Sequence, residues 1–180
     1  GLPANSAIEP NAEAAVLPAA SGKQAIVSGS CSRATQAQVG AFIEQGGHAI
    51  ALDPVLLSQD PSKLDAYIAQ ALDVLATKPV LVYTTTTPEQ LAHVQATLGA
   101  MAAGDMVEQW LAQVARALVQ AGVAQLVVAG GETSGAVVQA LGIEQLRIGA
   151  QIDPGVPWCH GQANVDTVVP LHICLKSGNF

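Results

Sequence analysis

The stretch that most constrains the fold is Val127-Val128-Ala129-Gly130-Gly131-Glu132-Thr133-Ser134-Gly135-Ala136-Val137-Val138. An apolar run ends in two glycines, a polar trio follows, and helical spacing then sets in. This order of residues predicts a strand, a tight turn and a helix start. The glycines let the backbone take positive φ and come close to a ligand. The first amides of the helix are left as outward donors at its positive end. Such a turn is an anion site in waiting, and phosphate is the anion that most often uses it.

The flanking sequence repeats that grammar. Ala25-Ile26-Val27 reads as a strand ending in Ser28-Gly29-Ser30-Cys31-Ser32, with a helix over Thr35 to Gln45. His48 to Leu52 and Val80 to Tyr83 read as further strands, the first closed by Asp53-Pro54 and the second by Thr84-Thr85-Thr86-Thr87-Pro88. Between them Ser62-Lys63-Leu64-Asp65 resembles a capping box before a helix with Leu64, Ile68, Ala71, Leu72 and Leu75 on one face. Glu89 to Gly122 reads as helical in two pieces broken near Gly99 to Gly104, with Val107, Leu111, Val114 and Leu118 aligned. Val123 to Ala129 is the fourth strand, and the helix after the opening motif runs to Leu141. Gln145 to Ile148 is a candidate fifth strand, Asp153 to Pro157 a rigid turn, and Val168 to Leu175 a last strand. Alternating strands and helices predict βαβ units, hence an α/β fold of three layers. The sheet is expected to be mainly parallel and Rossmann-like, with helices on both faces. Residues 1–22, rich in Pro, Ala, Asn and Ser, are expected to be a linker or extended lead-in, and 23–180 the domain.

Composition agrees with that layout. Half of the chain is apolar but only 3% is aromatic, so the core must be Ala, Val, Leu and Ile. That palette suits buried parallel strands. Net charge is −7 with seven Lys plus Arg in 180 residues, which argues against a nucleic-acid or anionic-membrane partner. Any bound anion must be held by backbone amides and one or two cations. Three cysteines without C-x-x-C spacing argue against a disulfide framework or zinc site and for a reducing cytoplasm. No apolar run reaches the ~18 residues of a membrane span.

In open α/β sheets, ligands sit outside the carboxyl ends of the strands. Four proposed ends (Ser28 to Ser32, Thr84 to Thr87, Gly130 to Ser134, Lys176 to Asn179) are rich in Gly, Ser and Thr. Hydroxyls and bare amides suit phosphate and ribose oxygens, although small polar residues also make ordinary turns and caps. Neither G-x-x-x-x-G-K-[ST] nor a G-x-G-x-x-G at the first βα turn is present. Lys176 beside Ser177-Gly178 could pair with phosphate, or be a solvated strand-end lysine. Glu132 could be a dipole partner of its helix, or hold a ribose hydroxyl or, through water, a magnesium ion. His48, His93, His160 and His172 read as structural or surface residues. Cys31, with no flanking cation or histidine, reads as packing rather than as a nucleophile.

Three segments together resemble the carboxyl-terminal domain of the four-carbon acid sugar kinase family. They are Val27 to Ser32 with Thr35 and Gln38, then Gly130 to Val137, and Pro154-Gly155-Val156-Pro157-Trp158 running on to Leu175 to Phe180. The resemblance covers nearly all of the chain after Gly22. Glu132-Thr133-Ser134 is more similar to the 3-oxo-tetronate 4-kinase branch than to the threonate and erythronate kinases. The resemblance implies ATP-dependent phosphorylation of the 4-hydroxyl of a four-carbon sugar acid, with Mg²⁺. It places Ser28, Gly130, Gly131, Glu132, Thr133 and Gly178 on nucleotide-contact positions; Ser134, Lys176 and Ser177 beside them complete the candidate set. It further implies an amino-terminal domain that carries the sugar acid and the base. Without that domain the chain is expected to bind nucleotide but not turn over. A cytoplasmic setting and a homodimer are further expectations. The competing readings are a noncatalytic nucleotide- or phosphate-binding regulatory module and a sugar-phosphate isomerase or sugar-binding domain, the latter lacking a convincing catalytic Glu or His.

Overall fold

The computed structural model describes residues 16–84, 92, 96 and 99–178. The elements are β1 (Lys23–Ser28), α1 (Arg33–Glu44), β2 (His48–Ala51), α2 (Pro54–Gln59), α3 (Lys63–Leu75), β3 (Val80–Tyr83), α4 (Ala100–Gln120), β4 (Val123–Ala129), α5 (Gly131–Ala140), β5 (Leu146–Asp153), β6 (Val156–Asn164) and β7 (Val168–Lys176).

The strands form one seven-stranded sheet in the order β2-β3-β1-β4-β7-β6-β5. The pairs β2–β3, β3–β1, β1–β4 and β4–β7 are parallel, while β6 and β5 close the edge antiparallel. The sheet is therefore mainly parallel, as expected. Right-handed crossovers decide which face each helix covers. From β1 the chain steps outward past β3 to β2 and puts α1 on one face. From β2 it steps back through β3 to β4, so α2, α3 and α4 cover the other face, where α4 packs on α3, α5 and strands β1, β3 and β4. Helices thus lie on both faces, but unequally.

The main core lies on the crowded face. Val27, Leu57, Leu111, Leu118, Leu126, Val137 and Ile173 are each fully buried there. Each such aliphatic side chain contributes about 1.5–3 kcal/mol by leaving water. Strand alternation sends Leu171 and Ile173 of β7 into this core and turns His172, Cys174 and Lys176 to the α1 side. Beyond α1 that second face carries the lead-in. Leu17 lies against Gly149, and the Pro18 carbonyl meets His172 Nε2 at 3.0 Å.

One local expectation is corrected and two are narrowed. Ser62 does not cap α3: it sits in helical conformation without a side-chain cap bond, and its hydroxyl instead donates to Asp60 Oδ1 at 2.6 Å. The break expected near Gly99 to Gly104 falls at Gly99, the positive-φ N-cap of α4, and from Ala100 onward the helix is continuous through Gly104; the proposed first piece falls mostly outside the described residues. The turn expected over Asp153 to Pro157 is confined to Pro154-Gly155, since Asp153 ends β5 and Val156 begins β6, and the two strands make a hairpin.

Candidate functional site

Because β3, β1, β4 and β7 are adjacent, their carboxyl ends form one continuous rim. Backbone bonds join them beyond the last ladder rungs. Thr84 N donates to Ser28 O at 2.9 Å, Gly29 N to Ala129 O at 3.0 Å, and Gly130 N to Lys176 O at 2.9 Å. Ser28 ends β1 and is buried. All nine sequence candidates lie on this rim, on or directly after β1, β4 and β7. Of the expected fourth contribution, Thr84 to Thr87, only Thr84 lies within the described residues.

Gly130 is the N-cap of α5 with φ +125°, a conformation that only glycine adopts without strain. A Cβ there would also meet Thr133 Oγ1 at 2.8 Å and Ser30 N at 3.3 Å. No side chain caps the helix, so its first amides keep their donors. Gly131 and Glu132 are exposed, and a Cβ on Gly131 would meet nothing within 4 Å. Thr133 is buried behind them, and Ser134 turns its hydroxyl back to Gly130 O at 2.7 Å. The turn therefore offers backbone amides and one exposed carboxylate, with Thr133 and Ser134 supporting the backbone.

Lys176 is buried, with 8% of its surface exposed. Among the described residues it makes no ion pair; its ammonium donates to Thr35 Oγ1 at 3.1 Å. Burial lowers its pKa, and the Cys174 thiol on the same strand acts in the opposite direction. Ser177 is exposed, whereas Gly178 packs against the start of α1, where a Cβ would meet Ser30 Oγ at 2.5 Å.

The rim also carries acidic groups that the sequence did not point to. Glu108 of α4 is pushed up to about 7 by burial first, then by the charge of Glu132 and a hydrogen bond with it, and then by Asp105. Their spacing in α4 reads as a solvated helix face; only the packing of α4 against α5 brings them to Glu132. Thr84 Oγ1 is buried at the end of β3 without a hydrogen-bond partner among the described residues. Among the described residues no histidine joins the rim: His160 on β6 and His172 on β7 meet as a tilted pair of rings 4.8 Å apart, and His93 lies outside the described residues. Burial raises the Cys159 and Cys174 thiols, which keeps them protonated. A cavity of about 620 Å³ beside Glu144, Arg147, His160 and Asn164 reaches Val168, at the amino-terminal end of β7, and holds none of the candidates. No three His, Cys, Asp or Glu among the described residues form a metal-binding group, and no described helix is long and apolar enough to cross a membrane.

A mainly parallel α/β domain that gathers glycine amides, hydroxyls and a buried lysine at its strand ends has the layout of a ligand-binding domain of that class. More particularly, the chain belongs to the nucleotide-binding C-terminal domain family, whose model matches residues 25–180. Over its whole length it is 47% identical to the 3-oxo-tetronate kinase of Cupriavidus necator and 46% identical to that of Burkholderia multivorans. It spans 41% and 42% of the lengths of those two proteins. A solved structure from Haemophilus influenzae superposes with a TM-score of 0.81 at 34% identity, covering 91% of this chain and 39% of that one. A Salmonella typhimurium structure described as a putative tRNA synthase gives 0.78 at 36%, covering 92% and 39%.

Proposed function

We propose that this chain is the ATP-binding part of a cytoplasmic kinase that phosphorylates the 4-hydroxyl of a four-carbon sugar acid. The favoured substrate is 3-oxo-tetronate, which the names of the two relatives above carry, and the product of the proposed reaction is 3-oxo-tetronate 4-phosphate. The observation that carries the reading is Lys176, a buried ammonium without a carboxylate partner among the described residues, on the strand next to an uncapped helix start. A buried positive charge needs a counter-charge. The amides of α5 favour the same anion.

In this reading the triphosphate lies across Gly130 to Ser134 and Lys176, with Ser28, Ser177 and Gly178 lining its approach. Phosphoryl transfer depends on positioning and charge neutralisation rather than covalent help. A magnesium ion would neutralise phosphate oxygens and is usually held by them, by water and by one or two carboxylates. Glu132, exposed in the first turn of α5, suits that outer role. The acceptor hydroxyl and its base come from polypeptide outside these 180 residues, so the chain alone binds ATP without turnover. A homodimer belongs to the same proposal.

The test measures ADP release by the longer enzyme with 3-oxo-tetronates, threonate and erythronate, beside the 180-residue chain alone. The expected result is turnover by the longer enzyme, fastest with a 3-oxo-tetronate, and none by the chain alone. Activity with none of the three acids would overturn the substrate class.

A further inference from the structure

Lys176 and Gly178 are both held by the first turn of α1, and one side chain links the two. Thr35, itself only 1% exposed, accepts from Lys176 Nζ at 3.1 Å, and its own oxygen lies 3.5 Å from the Gly178 carbonyl. Ser32, the N-cap of α1, accepts from Thr35 N at 3.2 Å and also donates to Gly178 O. Each hydroxyl has a single proton and two acceptor positions. One assignment uses every proton once: Lys176 donates to Thr35, Thr35 and Ser32 both donate to Gly178 O, and Ser30 donates to Ser32 Oγ over 3.2 Å. Around the ammonium, α1 presents the Thr35 hydroxyl and β7 the Cys174 thiol; neither supplies a charge that fixes its direction.

We infer that Thr35 is a positioning residue: it fixes the Lys176 ammonium and the Gly178 backbone in the geometry that a phosphate ligand meets. The ligand part of this rests on the proposed nucleotide function, whereas the hold on Lys176 does not. Without the threonine oxygen, nothing in the first turn of α1 accepts from the ammonium, so its charged form loses support and its head group loses its direction.

The experiment compares Thr35→Val, which keeps the shape but not the acceptor, with Thr35→Ser, which keeps the acceptor. In the ligand-free 180-residue chain, NMR follows the Lys176 ¹³Cε signal against pH; only four lysines are present, so the signal is assignable. Thr35→Val should lower the titration midpoint by about one pH unit and weaken Mg·ATP binding about tenfold, and Thr35→Ser should restore both. A midpoint that does not move in Thr35→Val overturns the inference, even where ATP affinity falls, since Thr35 would then act on the ligand directly. A moved midpoint in a chain that takes up no ATP upholds the positioning role and overturns the nucleotide reading instead.

Discussion

Gly29, just after β1, lies against Thr133 in the first turn of α5 so closely that a Cβ on Gly29 would stand less than 3.0 Å from Thr133 Oγ1. Two of the strand ends that form the rim are thereby locked face to face, and the contact exists because one of them has no side chain.

Substitution at the half-buried Gly29 and the exposed Gly131 of the rim should therefore diverge. Gly29→Ala meets both Thr133 and Leu111 Cδ1, the latter at 3.0 Å, and both neighbours are buried. Overpacking of this kind should cost about 2 kcal/mol, read from the denaturant midpoint. Gly131→Ala enters open space at a helical position and should leave stability unchanged or raise it by about 0.5 kcal/mol. Its cost should appear instead as weaker ATP binding, because the new methyl group stands where the ligand approaches.

Lys176→Met should separate stability from binding. The methionine removes a buried charge that has no carboxylate partner among the described residues, so thermal stability at pH 7 should hold or rise. Affinity for Mg·ATP should fall by about tenfold or more. The wild-type pH profile follows from the lowered pKa: below the ordinary 10.5 the unfolded chain holds more protons on this lysine than the folded one. Its contribution to stability therefore improves as pH rises towards 10.5, and Lys176→Met should abolish that rise.

Glu108 acts in the opposite sense. Its folded value of about 7 exceeds the ordinary 4.5, so the folded chain holds the extra proton between those values. The stabilisation it provides is complete below about 4.5 and is lost as pH climbs through 7. Glu108→Gln should flatten the decline of melting temperature between pH 5 and 8.

Arg116 provides a control at the other end of the molecule. From α4 it donates to Ala140 O at 3.2 Å, to Asn164 O at 3.3 Å and to Asp166 Oδ1 at 2.8 Å. Arg116→Ala leaves two carbonyls short of a donor and should cost about 1 kcal/mol in chemical unfolding. ATP affinity should not change, since these contacts lie at the amino-terminal end of β7.

The parallel half of the molecule was readable because its signals reinforce one another. Val127-Val128-Ala129 followed by two glycines fixes strand, turn and helix in one phrase, and Leu111, Val114 and Leu118 keep helical spacing onto the core. β6 was not readable. Its core-facing positions, Cys159, Gly161 and Ala163, are small because α5 and its following turn press close, and Pro157 argues against a strand. α2 was hidden in a signal taken for a strand end: Asp53-Pro54 is the cap and first residue of a helix, with Asp53 Oδ1 accepting from Val55 N and Leu56 N at 3.0 Å each. At the site, glycines and hydroxyls announced themselves through turn chemistry. Glu108 could not, since its role arises only where two helices distant in sequence meet. Thr35 stood in the sequence as one residue of a motif, and its bond to Lys176 is a consequence of β7 returning beside β4.

The most direct measurement is a ¹H–¹⁵N NMR titration of the 180-residue chain with Mg·ATP. The amides of Gly130, Gly131, Glu132, Thr133 and Ser134, together with Lys176 and Gly178, should shift and saturate. Shifts gathered around Glu144, Arg147 and His160 instead, or no shifts at millimolar nucleotide, would contradict a phosphate site at this rim.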